Sequence, residues 1–98
     1  MKRETIYIAE IKTRNAREAM NNYAQKHGLP QERDGSFEIG GVCVGFDDGT
    51  EGGWCAPNPT IETSGYERRT TELITRDIAM YARARIPIIT EGAVVEIP

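Results

Sequence analysis

The residues of this chain that could take part in catalysis, metal binding or partner binding are concentrated between Gly40 and Ala56. This segment, GGVCVGFDDGTEGGWCA, holds both cysteines, the only tryptophan, three carboxylates and six of the ten glycines. Thiols can act as nucleophiles, carboxylates can bind a metal ion or a basic partner, and an indole can anchor an interface. Because Asp48-Gly49 between two apolar runs is a strong hairpin signal, we expect a Gly-rich hairpin that faces outward.

The two cysteines flank the predicted turn almost symmetrically. A three-residue loop would place Cys43 opposite Cys55, whereas a two-residue loop would oppose Cys43 to Trp54. A reactive thiolate needs a cationic or helix-terminal neighbour, and here the neighbours are carboxylates. We therefore expect reduced cysteines that behave as small apolar side chains.

Other catalytic groups are scarce. His27 is the only histidine, and it falls in the last turn of a predicted helix, where histidines commonly cap carbonyl groups. The segment from Asp47 to Glu51 lacks the alternating ligands and the distal glutamate of a calcium loop. Phosphate-binding and dinucleotide-binding glycine motifs are also missing. The sequence predicts no catalytic residue, no metal and no cofactor.

The net charge of −3 conceals an uneven distribution. Residues 31–62 carry seven acidic side chains against Arg33 alone, whereas residues 1–30 are basic and residues 63–98 are balanced. An acidic middle third repels nucleic acid and attracts a basic protein surface. The candidate partner-binding residues follow from this charge and from the aromatic residues near it: Glu38, Asp47, Asp48, Glu51, Trp54 and Tyr7. Trp54 is equally consistent with an interface anchor and with a core residue.

The first predicted elements are a strand over residues 5–12 and a helix that follows it. Asn15 and Glu18 have the spacing of a capping box, and Gly28 with Pro30 ends the helical pattern. The apolar stripe of this helix is Ala16, Ala19, Met20, Tyr23, Ala24 and His27.

Residues 36–46 alternate as a strand does, but the phase of the alternation changes at Gly40-Gly41. Such a slip of one residue predicts a β-bulge if both halves face one core. Residues 50–56 are expected to return as a third strand, and residues 56–60 to form a proline-stiffened connector.

A second helix is predicted to follow, with Ser64 and Glu67 as its capping box and Pro87 as its stop. Its expected buried stripe is Leu73, Ile74, Ile78, Tyr81 and Ala82. Its arginines alternate with acidic residues at pairing distance, which favours a solvated helix face over a nucleic-acid site. Residues 88–97 are strand material, either as a small hairpin or as one strand after a loop.

The resulting order, βαββαβ, predicts a single two-layer α+β domain over residues 1–98, with the ferredoxin-like or split βαβ arrangement and room for an extra C-terminal strand. Both helices then cover one sheet face. The uncovered face is expected to carry Tyr7, Ala9 and Ile11, open to a partner or to a second copy in a homodimer.

Function is expected to be non-enzymatic binding of a basic protein partner, without direct contact to nucleic acid or membrane. Small acidic αβ proteins of this kind are typical of phage or mobile-element accessory proteins that inhibit nucleic-acid-processing machinery. The alternative is a dimeric small-molecule-binding regulatory module that uses the Gly-rich turns. With no apolar run long enough for a membrane span or signal peptide, the protein is expected to be cytoplasmic.

Overall fold

The computed structural model describes residues 2–48 and 59–97, which form a five-stranded antiparallel sheet and two helices. The elements are β1 (Lys2–Lys12), α1 (Ala16–Lys26), β2 (Phe37–Ile39), β3 (Val42–Asp47), β4 (Thr60–Gly65), α2 (Arg68–Tyr81) and β5 (Thr90–Ile97). The strands lie in the order β2-β3-β4-β1-β5. The predicted α+β class is therefore confirmed. The ferredoxin-like topology is not, because the strand order differs from that of the four-stranded sheet we predicted.

The difference arises at Gly40-Gly41, where the structure has a two-residue turn instead of the predicted β-bulge. Both glycines have positive φ angles, 57° and 78°, and Ile39 lies directly opposite Val42. A turn with two left-handed residues suits a tight hairpin and favours glycine. It also pairs odd-numbered residues with even-numbered ones, so Phe37 and Val44 share a face. The phase change in the sequence is thus the signature of a hairpin.

The second partner of β3 is β4, not the predicted strand over residues 50–56. Cys43 lies opposite Ser64 on β4 and opposite Glu38 on β2. Since a strand has only two neighbours, the predicted opposition of Cys43 to Cys55 or Trp54 is wrong. Residues 50–56 and the glycine of the Asp48-Gly49 turn lie outside the described residues.

Helix α1 begins and ends close to the predicted positions, and its first five stripe residues, from Ala16 to Ala24, are buried. The predicted capping box is wrong, because the Asn15 side chain makes no cap hydrogen bond and instead accepts one from the Thr13 hydroxyl. His27 is exposed at the C-terminal cap, and its ring lies 4.4 Å from that of Tyr23.

Helix α2 begins later than predicted. Ser64 is part of β4, and Glu67 is itself the N-cap, with its carboxylate accepting from the backbone N–H groups of Arg69 and Thr70. The buried side of the helix is Thr71, Ile74, Thr75, Ile78 and Ala79. Leu73 and Tyr81, predicted to be buried, are 40% and 38% exposed. Thr71 and Thr75 take buried positions in place of these two residues, so the buried side of the helix is not its most apolar side.

Both helices pack on one face of the sheet. Residues that lie directly opposite each other in neighbouring strands have their side chains on the same face of the sheet. Ile11 lies opposite Ile61, and Ala9 lies opposite Thr63. Ile61 packs in the core cluster with Met20 and Ile78. The expectation that Tyr7, Ala9 and Ile11 line the uncovered face is therefore wrong.

The C-terminal segment resolves the two alternatives left by the sequence. Residues 84–89 form a loop, and β5 is a single strand at the edge of the sheet, antiparallel to β1. The register between the two strands shifts between Thr5 and Tyr7, opposite Gly92. A Cβ atom at Gly92 would lie 2.7 Å from the Ile6 side chain, so the close approach of the strands requires glycine there.

Candidate protein-binding surface

The face of the sheet opposite the helices, here the open face, is largely polar. Its side chains alternate with those of the covered face along each strand. In the part of the face that begins at Ile8 of β1, they are Ile8, Glu10 and Lys12 on β1; Thr60, Glu62 and Ser64 on β4; Cys43, Gly45 and Asp47 on β3; Glu38 on β2; and Thr90 on β5. Four carboxylates and one ammonium group share this part of the face, and Glu4 lies on the same face nearer the start of β1.

Two of these carboxylates lie in adjacent strands at the same height, since Glu10 is directly opposite Glu62. The Thr13 N–H donates to the Pro59 carbonyl over 3.0 Å. Because hydrogen-bonded and non-hydrogen-bonded positions alternate along an antiparallel pair, the odd-numbered residues of β1 form the backbone hydrogen bonds to β4. The Glu10–Glu62 pair is therefore a non-hydrogen-bonded pair. Non-hydrogen-bonded pairs bring side chains closest together, and like charges there destabilise a sheet. Both side chains are exposed. Neither carboxylate forms an ion pair with a described residue, so two like charges remain side by side on the open face.

Beside Glu62, the third position in this row is Gly45 on β3. A Cβ atom built on Gly45 would meet no atom of the described residues within 4 Å, its chain neighbours aside. As far as the described residues show, the row therefore ends in open space next to a carboxylate. A long cationic side chain from outside could lie over Gly45 and reach Glu62.

The other two carboxylates flank this row. Glu38 is exposed on β2 beside Cys43, and Asp47 is half-buried at the end of β3, opposite Thr60. Asp47 makes a further contact within the molecule. Lys12, in the same row as Asp47, is two strands away, a distance of about 9–10 Å. Negative charge therefore dominates the middle of the face.

A small cleft indents the open face between β1 and β4. It has a volume of about 90 Å³ and is lined by residues that include Ile8, Glu10, Glu62 and Ser64. Ile8 is 39% exposed, so an apolar contact is available next to the paired carboxylates. The combination suits a ligand side chain with an aliphatic stem and a cationic end.

Charges of both signs nearly balance on α2, which carries three arginines against Glu72 and Asp77. Arg68 pairs with Glu72 over 3.0 Å, and its guanidinium also lies 5.9 Å from the centre of the Tyr7 ring. Arg69 and Arg76 on α2, and Arg83 just after its end, are exposed and form no ion pair with any described residue. Of the ion pairs predicted along this helix, the described residues form only Arg68–Glu72. Acidic charge is therefore concentrated on the open face, whereas the helix α2 is close to neutral.

The predicted partner-binding residues are distributed unevenly. Glu38 and Asp47 lie on the open face, and Asp48 is exposed immediately after β3. Tyr7 lies on the covered face, opposite Gly65 and below Arg68. Glu51 and Trp54 lie outside the described residues.

Sequence reasoning missed Glu10 and Glu62, the two residues at the centre of the open face. The signal for Glu62 was present, because Ile61 to Ser64 alternates apolar-or-threonine with polar residues at the period of a strand. The predicted connector ended at residue 60 and Ser64 was assigned to the cap of the second helix, so residues 61–63 were not assigned to a strand. The pairing of Glu62 with Glu10 has no local signal, since it joins residues 52 positions apart.

Among the described residues, the one cysteine and the histidine are separated by the sheet. Cys43 is a free, exposed cysteine on the open face. His27 packs against Tyr23, a core residue of the helix layer. The two side chains therefore lie on opposite sides of the sheet and do not form a catalytic pair.

Comparison with family models, with curated proteins and with solved structures gives no match for this chain. Within the described ranges, neither helix has the length and apolar character needed to cross a membrane.

Proposed function

We propose that this protein is a non-enzymatic binding protein whose open face docks onto a basic surface of another protein. The observation that carries the proposal is the Glu10–Glu62 pair, in which two exposed carboxylates face each other across adjacent strands. Folding alone gives no reason to retain such a pair. A cationic partner gives one, because it converts the repulsion into attraction.

Magnitudes support a functional origin for the pair. Like charges directly opposite each other cost about 0.2–1 kcal/mol in a sheet. A hydrogen bond between a carboxylate and a cationic partner contributes about 1.5–3 kcal/mol. The gain on binding therefore exceeds the cost in the free protein, and the space over Gly45 admits the partner's side chain.

A partner with clustered Lys or Arg side chains fits this surface best. Proteins that handle nucleic acid carry such clusters, because they must neutralise phosphate groups. Docking of the open face on a groove of that kind would block it, so inhibition of nucleic-acid-processing machinery is the form of the proposal that we favour.

For the fold, we propose that β1, β3, β4 and β5 with the two helices form a split βαβ unit in the order βαββαβ. In this proposal, β2 is an addition to the edge of that unit, produced by the Gly40-Gly41 turn.

The test is affinity capture from the native host with quantitative mass spectrometry. The bait proteins are the wild type, the Glu10→Gln/Glu62→Gln variant and a Glu18→Gln variant, which removes an exposed charge from α1 instead. We expect a basic protein to be captured by the wild type and by Glu18→Gln, and to be lost from the double variant. Equal capture by all three baits would overturn the proposal.

A steric variant gives a second, independent readout. Gly45→Val keeps every charge and adds a side chain into space that no atom of residues 2–48 or 59–97 occupies. Valine is also favourable in strands, so the variant should fold normally. We expect it to weaken capture of the same partner, because its side chain fills the space beside Glu62.

A further inference from the structure

One stretch of β1 has a neighbouring strand on only one side. Residues Ala9 to Lys12 pair with β4, but β5 begins at Thr90, which lies opposite Ile8. Beyond Ile8, no described strand lies along β1 on the side of β5. A gap thus opens at an internal strand of the sheet.

The hydrogen-bond phase of β1 shows which backbone groups face this gap. Since Thr13 donates to Pro59, Ala9 and Ile11 direct their N–H and C=O groups towards β4. Glu10 and Lys12 direct theirs the other way. Among the described residues, neither has a backbone hydrogen bond on that side. Two donors and two acceptors are therefore available at strand spacing.

The gap has an apolar wall. A cleft of about 250 Å³ is lined by Ile8, Ala9, Glu10, Pro87, Ile88 and Thr90. Ile88 is 85% exposed, the highest value among the large apolar side chains that the structure describes. An exposed isoleucine beside unpaired strand edges is typical of a surface that another chain covers.

We propose that an extended, basic segment of the partner protein adds to the sheet as a short strand along Glu10–Lys12. This inference rests on the proposed function and specifies its binding mode. Addition of a strand satisfies the free backbone groups and leaves specificity to alternate side chains. A Lys or Arg opposite Glu10 falls on the open face, within reach of both paired carboxylates. An aliphatic side chain of the same segment contacts Ile8 and Ile88.

A second copy of this chain is the weaker occupant on charge grounds. The strands at the two edges of its sheet are β2 and β5, and their sequences, FEI and TEGAVVEI, carry glutamate and no lysine or arginine. Either strand would bring more negative charge to Glu10. Charge complementarity therefore selects a partner with a basic strand-forming segment.

The test is amide hydrogen exchange of the full-length protein, read by NMR, with a defined probe. The probe is an eight-residue peptide of alternating valine and lysine, and its matched control is the same peptide with N-methyl groups on alternate backbone nitrogens. We expect the unmodified peptide to slow exchange of the Glu10 and Lys12 amides by about tenfold or more, because they gain hydrogen bonds. The methylated peptide keeps the charge but should not protect them.

A pair of variants tests the same geometry by affinity. Because the Lys12 N–H points away from β4, Lys12→Pro removes the outward donor and leaves the β1–β4 hydrogen bonds intact. Lys12→Ala removes the same side chain and keeps the donor. We expect peptide binding to be about tenfold weaker for Lys12→Pro than for Lys12→Ala. Circular dichroism checks that both variants fold. If Lys12→Pro does not fold, the exchange measurement on the wild type tests the inference by itself.

Two results would overturn the added strand. Peptide binding without protection of Glu10 and Lys12 would show a purely electrostatic contact, and would leave the proposed function standing. Absence of peptide binding would likewise remove the inference. Failure of the proposed function is seen separately, as capture of the native partner that is insensitive to the Glu10→Gln/Glu62→Gln change.

Discussion

The two faces of this sheet differ in how completely their polar groups are satisfied. On the covered face, the buried hydroxyls of Thr63 and Thr75 bond to each other at 2.6 Å, and Thr71 donates to the Glu67 carbonyl at 2.8 Å. On the open face, Glu10 and Glu62 face each other with like charge. If the sequence were selected only for stability, we would expect a partner for the Glu10–Glu62 pair, just as the buried threonine hydroxyls have partners. The covered face thus maintains the fold, and the contrast supports our proposal that the open face serves binding.

The strongest test of this contrast uses neighbouring residues on one strand. Ile61 is fully buried in the core cluster, whereas Glu62 is exposed on the other face. We expect Ile61→Ala to lower the free energy of unfolding by about 2–5 kcal/mol, because it leaves a cavity. Glu62→Ala should lower it far less. Urea denaturation followed by circular dichroism measures both, and similar losses for the two variants would contradict the division between the faces.

The buried hydroxyl pair supplies the next largest effect. Thr63→Val leaves the Thr75 hydroxyl buried without its partner, so we expect a loss of about 1–3 kcal/mol in the free energy of unfolding. The double variant Thr63→Val/Thr75→Val removes both hydroxyls and should recover much of that loss. A double-mutant cycle with no coupling between the two sites would show that their bond contributes nothing.

On the open face the expected effect is smaller and has the opposite sign. Glu62→Gln removes the repulsion with Glu10, so we expect the free energy of unfolding to rise by about 0.2–1 kcal/mol. The matched variant Glu18→Gln, on α1, lacks this repulsion and should give no such gain. Destabilisation by Glu62→Gln would mean that its carboxylate is needed for folding, which is contrary to our interpretation.

The smallest effect concerns the start of α2. Hydrogen bonds from the Thr70 hydroxyl and backbone N–H, and then from Arg69, lower the pKa of the Glu67 carboxyl below its ordinary value. The folded state thus holds this proton less tightly than the unfolded state, and the stabilisation is present above the ordinary glutamate pKa. It is lost as the pH falls through the lowered pKa. We expect the difference in thermal midpoint between wild type and Glu67→Ala to shrink on acidification, and a constant difference would argue against the cap.

Much of the fold was predictable because its signals are local. The 3,4 spacing of small and aromatic residues with Gly28 defined α1, and the β-branched run at residues 5–12 defined most of β1. Other features depend on contacts between distant residues. A phase change of one residue has the same appearance for a bulge and for a tight hairpin, so Gly40-Gly41 was misinterpreted. Ile6 and Ile8 alternate with Tyr7 and Ala9, and no local rule shows which set faces the helices.

The same limit applies to the candidate site. Composition identified an acidic middle third and, within it, Glu38 and Asp47. It did not identify Glu10, which lies in the basic first third and reaches the acidic face only through the pairing of β1 with β4. The strand β4 itself was missed because Thr60, Glu62 and Ser64 make half of it polar. A strand with one solvent-exposed face has few apolar residues, so its sequence gives only a weak strand signal.

The concentration of acidic charge on one face has a consequence before any contact forms. Carboxylates dominate the open face, whereas charges of both signs nearly balance on α2, so the molecule has an electric dipole directed across the sheet. In the field of a basic surface, the resulting torque turns the acidic side forward during approach. This alignment acts over about 8 Å at physiological ionic strength. The rate of productive encounters should therefore fall with added salt more steeply than that of a molecule with the same net charge spread evenly.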